Sequence, residues 1–207
     1  MGKKTYNNTM NKKEYTSAIK KTPFEYLPSK KIGTLISKGM LYEEAFQKCF
    51  VENELEVVSE ERRKEIFNVV YDRLSGLDSY LLDEFLHGSI SSSKFILVYA
   101  IASTDNLFFE FLLSQYREAL IGSKNYISIS DFDDFFASIK EKNPVVAKWS
   151  ERTIKQLSGG YRNILVESGL GYREKKLIYA QKAVINPPVV EHIEKINKAF
   201  IQAVLGA

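Results

Sequence analysis

The run Phe95-Ile96-Leu97-Val98-Tyr99-Ala100-Ile101-Ala102 has no charged residue, and its only side-chain polar atom is one tyrosine hydroxyl. A helix that is apolar all round has no side to give to water and must be wrapped by other elements. The run falls well short of the ~20 residues that a membrane-spanning helix needs. It therefore predicts a core helix over 94–103, capped by Ser91-Ser92-Ser93. Whatever surrounds it has to turn apolar faces inward.

The flanking sequence has that character. Ile66, Phe67, Val70, Tyr71 and Leu74 recur at three- and four-residue spacing behind Ser59 and the acidic turn Glu60-Glu61. This predicts a capped helix to about Ser75, stopped by Gly76. Further helices are expected from Ser29 to Gly39, from Met40 or Leu41 to Asn53, over Asp78–Leu86, and from the cap Asp105 to about Ile121. Others follow from Ser130 or Asp131 to Lys142, from the cap Ser150 to Ser168, and over Val189–Leu205. Pro23 and Pro28 bracket an extended piece that contains Phe24, Tyr26 and Leu27. β propensity is confined to a short link at Tyr126–Ser130 and to Lys176–Ile185, which can close a small hairpin. The expected fold is mainly α, a compact multi-helix bundle with a small β-hairpin or wing-like element near the C-terminus. Three parts are expected: a flexible basic arm over 1–28, a helical subdomain over 29–75 with a possible helix-turn-helix at Gly39, and a helical subdomain over 76–207 packed against it.

The net charge of +3 conceals a segregation. Residues 1–38 hold nine lysines against Glu14 and Glu25, residues 39–147 hold ten basic and nineteen acidic residues, and residues 148–182 hold eight basic and three acidic. Two basic segments flanking an acidic middle suit a polyanion-binding face; a lysine-rich solvated surface is the plainer reading.

Catalytic and metal chemistry find little support. The two histidines, His87 and His192, lie far apart without companions at ligand spacing. Asp131, Asp133 and Asp134 are the tightest acidic group, and they fall in a helix first turn where carboxylates complement the dipole. Gly159-Gly160 does not follow a strand and has no P-loop lysine after it, so a kink or the close approach of another backbone is expected there. Cys49, the one cysteine, sits between Phe46 and Phe50 on an apolar stripe and reads as a buried, inert thiol. No catalytic group, metal, cofactor, small-molecule substrate or membrane association is expected, and the chain reads as a cytoplasmic non-enzyme.

What remains is a binding device. Asn143-Pro144 and Trp149-Ser150-x-x-Thr153 lead into a helix whose buried stripe is Ile154, Leu157, Tyr161, Ile164 and Leu165, with Arg152, Lys155 and Arg162 largely off that stripe. Arg173, Lys175 and Lys176 follow in the wing-like segment. A capped helix start of this kind can also receive a phosphate.

Phe132-x-x-Phe135-Phe136, Asn143-Pro144, Trp149-Ser150-x-x-Thr153 and the helix end Glu167-Ser168-Gly169-Leu170 occur in an order that resembles the BrxA family of BREX phage-defence systems. The likeness runs from about residue 29 to the end. It takes in Val51-Glu52-Asn53, the helix ending at Arg73-Leu74 and the apolar helix 94–103. Asn143 stands where the family usually has aspartate, Ser168 where it has alanine, and Gly159-Gly160 interrupts a helix usually free of glycine. The resemblance implies a NusB-like helical fold, binding of double-stranded DNA alongside other BREX proteins, and no catalytic role. Charge and resemblance together nominate Lys20, Lys21, Lys30, Lys31, Arg152, Lys155, Arg162, Arg173, Lys175 and Lys176 as phosphate contacts. RNA binding and protein scaffolding through the acidic middle are the alternatives.

Overall fold

In the computed structural model, residues 15–206 are described. The central element is α5 (Ile90–Thr104), in which every residue from Phe95 to Ala102 is buried. It begins earlier than expected. Ser89 is the cap, its hydroxyl accepting from the Ser92 amide, while Ser92 and Ser93 are themselves buried in the first turn. Both keep polar partners: Ser93 donates to the Phe85 carbonyl at 2.6 Å, and Ser92 accepts from the Asn186 amide at 3.2 Å. Burying these hydroxyls without partners would cost roughly 1–3 kcal/mol each.

On one side of α5 lie α1 (Tyr26–Ser37), α2 (Tyr42–Phe46) continuing as a π-helical turn over Gln47–Val51, α3 (Glu60–Ser75) and α4 (Ser79–His87). Helix α1 packs on α3 and α4, and both of these pack on α5. Ser59 is the expected cap, accepting from the Arg62 amide, and Asp78, expected as the first residue of its helix, is the cap of α4 and accepts from the Leu81 amide. Cys49 is fully buried here, and burial pushes its thiol up to about 11. That is the environment of an inert thiol rather than a nucleophile.

Chain direction reverses at Asp105, whose carboxylate caps α6 (Asn106–Phe111). The helix continues through a π turn at Leu112–Tyr116 into α7 (Arg117–Ile121). Strand β1 (Tyr126–Ile127) leads to α8 (Ile129–Lys142), α9 (Pro144–Ala147) and α10 (Glu151–Ser168). The hairpin β2 (Gly171–Glu174) and β3 (Leu177–Ala180) follows. With β1 it makes an antiparallel sheet of order β1-β3-β2, so the expected extended link is a true strand. The expected terminal helix is two, α11 (Pro187–Ile196) and α12 (Lys198–Leu205). They are broken at Asn197, which leaves helical geometry and uses its side chain to cap Phe200. Helix α8 is capped by Ser128 rather than by Ser130 or Asp131. Asp131 instead accepts from the Ser128 amide, closing a capping box.

The N-terminal arm expected over 1–28 divides at its middle. Residues 1–14 lie outside the described residues. Within 15–28, Ile19, Thr22 and Phe24 are fully buried, and helix α1 starts before Pro28 rather than after it. Proline is tolerated there because the first turn has no intrahelical acceptor for its missing N–H. This segment is pinned by α3: Arg73 donates to the Thr22 carbonyl at 2.6 Å, and Arg62 reaches the Thr22 hydroxyl at 3.0 Å and Glu25 at 2.5 Å. One contiguous core runs through 29–75 and 76–207 alike. Among the described residues no single helix is long and apolar enough to cross a membrane. The pair Ile90–Thr104 and Asn106–Ile121 reaches that composition only jointly, and it is bent by 113°.

Candidate nucleic-acid interface

The connection 143–150 sets α10 in place. The Asn143 side chain accepts from the Val145 and Val146 amides, and Pro144 fills the first position of α9. Trp149, half-buried against the core, anchors the far end of that short helix. Ser150 then caps α10 by accepting from the Thr153 amide at 3.2 Å, an arrangement worth about 1 kcal/mol. The cap already occupies that amide, and Glu151 sits exposed beside it, so the helix start is less open to a phosphate than its sequence suggests.

The inner face of α10 is held tightly. Tyr161 is fully buried with its ring 5.0 Å from Phe108, 5.1 Å from Phe111 and 5.6 Å from Phe136. Gly160 faces the N-terminal segment so closely that a Cβ there would lie 2.7 Å from both Cγ2 and the carbonyl oxygen of Ile19. The expected close approach of another backbone is thus at Gly160. Gly159, one residue earlier, faces open space.

The outer face carries the cations. Arg152 and Lys155 are exposed and make no hydrogen bond or ion pair with a described residue. Arg162 is steered rather than paired: its Nε donates to the Ser158 carbonyl at 3.1 Å, and the guanidinium lies 5.8 Å from the centre of the Phe132 ring. Burial, and then the nearby charge of Arg173, lower the Arg162 pKa, with Asp133 opposing. An added anion near Arg162 would relieve the repulsion from Arg173, which Asp133 offsets in part. Beside them, α8 and α10 enclose a groove of about 420 Å³ that includes Lys140, Lys155 and Arg162 together with Asp133 and Glu151.

The remaining nominated residues are placed differently. Lys30 donates to the carbonyls of Phe85 and, at 3.1 Å, of Leu86, closing the C-terminal end of α4. Lys31 is bound to the Glu54 carbonyl at 2.9 Å and the Glu56 carboxylate at 2.5 Å. Lys21 pairs with Glu65 at 3.2 Å, and Lys20 is half-buried in the adjoining turn. Lys175 and Lys176 are exposed at the tip of the β2–β3 hairpin. Lys155 and Arg162 thus line one groove, Arg152 is exposed on the same helix and Arg173 is within electrostatic reach of Arg162. Lys21, Lys30 and Lys31 are engaged elsewhere. Lys140 also lines the groove, and nothing in its own helix marked it. Asp131, the centre of the acidic cluster, is engaged by Lys124 at 2.6 Å, and among the described residues no group of acidic, histidine or cysteine side chains could hold a metal ion.

Three likenesses bear on this arrangement. Residues 13–197 match the BrxA family model. The BREX protein BrxA of Bacillus cereus (strain H3081.97) is 36% identical over 191 residues, covering 92% of this chain and 96% of that protein. A crystal structure of an uncharacterized protein from Magnetospirillum magneticum shares the fold, with a TM-score of 0.79 at 20% identity over 92% of this chain and 97% of that one. On the match of family and relative over nearly its whole length, the chain belongs to the BrxA family of BREX phage-defence proteins.

Proposed function

We propose that this protein is a non-enzymatic, cytoplasmic component of a BREX system that binds double-stranded DNA mainly through its phosphates and works beside other BREX proteins, without metal or cofactor. The observation that carries the reading is the outer face of α10, where Arg152 and Lys155 are exposed without a partner among the described residues and Arg162 feels the charge of Arg173. Cations left unpaired on one helix side suit a regularly spaced polyanion, and they position a duplex without reading its bases. Asp133 and Glu151 in the adjacent groove disfavour deep entry of a phosphate, which supports contact at the rim.

Fluorescence anisotropy of a labelled duplex at two salt concentrations tests this. Affinity should be present at low salt and fall steeply at high salt. The triple variant Arg152→Glu/Lys155→Glu/Arg162→Glu should abolish most of it, and Arg152→Glu/Lys155→Glu alone should weaken it at nearly unchanged thermal stability. Absence of binding at low salt, or binding indifferent to salt, defeats the proposal. Binding of BREX proteins that survives nuclease treatment, with no duplex affinity, would point to a scaffold instead.

A further inference from the structure

The sheet places three tyrosines side by side that are widely separated in sequence. Tyr126 of β1 and Tyr172 of β2 are both register partners of Tyr179 on the middle strand β3. Residues directly opposite in an antiparallel pair share a face. The other face holds Ile127 and Ile178, which are buried in the core. The tyrosines therefore form the outer face. The Tyr126 and Tyr179 rings are 5.7 Å apart, and those of Tyr172 and Tyr179 are nearly parallel at 5.2 Å. The row ends at the edge strand with Tyr172, which is 49% exposed.

Charge surrounds this row. Lys175 and Lys176 are exposed at the hairpin tip and Lys182 just beyond β3, while Arg173, the register partner of Ile178, belongs to the other face. Lys124 lies 4.9 Å from the centre of the Tyr126 ring, with its ammonium held by Asp131. Glu174, opposite Leu177 at the turn end of the same face, is the one acidic residue of the hairpin. Aromatic rings that lead to an open edge, bordered by cations, are the two ingredients of a surface that stacks unpaired bases while lysines follow the backbone.

We propose that the tyrosine row of the β1-β3-β2 sheet binds single-stranded nucleic acid by stacking unpaired bases on Tyr172 and its neighbours. This surface and ligand are distinct from the α10 face and its duplex, and the proposal stands whether or not duplex binding is found.

The test compares, by fluorescence anisotropy on the full chain, a labelled oligothymidylate with an abasic oligomer of the same length and charge. Loss of the bases should weaken binding about tenfold or more. Tyr172→Leu should weaken oligothymidylate binding by a similar factor, and Tyr172→Phe should restore it. A duplex measured in parallel should respond to neither change. Equal binding of the two oligomers, or no response to Tyr172→Leu, would reduce the row to cross-strand packing and overturn the proposal. No oligonucleotide binding at all would overturn it too. The comparison of oligomers on the unaltered protein needs no variant, so a folding defect in Tyr172→Leu cannot mask the answer.

Discussion

Helices α1 and α10 look alike as charge: each carries basic residues on a segment that the totals mark as strongly positive. In the folded chain they differ completely. Lys30 and Lys31 of α1 are turned onto backbone carbonyls and a carboxylate, so their charge closes a helix end and a loop. Arg152 and Lys155 of α10 are exposed with no partner among the described residues. A charge count therefore measures how many cations a surface could offer, and only the hydrogen bonds decide how many it does offer. The difference follows from what each helix packs beside. The C-terminal end of α4 presents carbonyls to α1, whereas among the described residues no acceptor reaches Arg152 or Lys155 on the outer face of α10.

The contrast can be broken by exchanging readouts. Lys30→Ala should cost roughly 1.5–3 kcal/mol in a denaturation experiment, the range for hydrogen bonds to a charged group, with duplex affinity unchanged. A loss of affinity without a loss of stability would put Lys30 among the binding residues after all. Within α10, the two adjacent glycines separate the inner face from the outer. Gly160→Ala should destabilise by about 1–3 kcal/mol, because the new methyl meets the Ile19 carbonyl as well as its side chain. Gly159→Ala should instead stabilise by up to about 1 kcal/mol, since the methyl meets nothing and helix propensity improves. Equal effects at the two sites would mean that α10 is seated differently.

The smallest effect is expected where α8 borders the groove. Burial pushes the Asp131 carboxyl up, but hydrogen bonds from Lys124 and Ser128 outweigh it and hold the pKa below the usual value. A depressed pKa means that the folded state favours the ionised form. The stabilisation is complete above the ordinary carboxylate pKa of about 3.9 and is lost as pH falls through the folded value. Replacing Asp131 by Asn should therefore lower thermal stability by a degree or so near neutrality, and the deficit should shrink below about pH 4. A deficit that persists undiminished into acid would remove the carboxylate from this role.

Much of the fold was legible because its signals are local. Ser59, Asp78, Asp105 and Ser150 each stand immediately before an amphipathic or acidic first turn, and each is a cap. The core run 95–102 announced itself by having no polar face. Signals failed where several local solutions competed. Ser128, Ser130 and Asp131 could all start α8, and the reciprocal bond between Ser128 and Asp131 selects the first. The serines before α5 similarly resolve in favour of Ser89, because tertiary partners for Ser92 and Ser93 let them enter the helix. Asn197 interrupts an amphipathic pattern that otherwise runs unbroken from Val189 to Leu205.

The candidate interface was less legible, since it depends on distant pairing. Arg152, Lys155 and Arg162 were readable from helical spacing. That Lys30 is engaged depends on carbonyls 55 and 56 residues away. The tyrosine row joins positions 126, 172 and 179, and only the strand order brings them together. Lys140 belongs to the groove through the packing of α8 beside α10, which no single segment encodes.

In the proposed binding mode the exposed cations of α10, and not those of α1, hold the phosphates of a duplex. The measurement that tests it most directly is the slope of log affinity against log salt for the unaltered protein, for Arg152→Gln/Lys155→Gln/Arg162→Gln, and for Lys30→Gln/Lys31→Gln. Each phosphate contact removed should lower the slope by about one. The α10 variant should therefore lose about three and the α1 variant none. An unchanged slope for the α10 variant, or a loss confined to the α1 variant, would contradict the account.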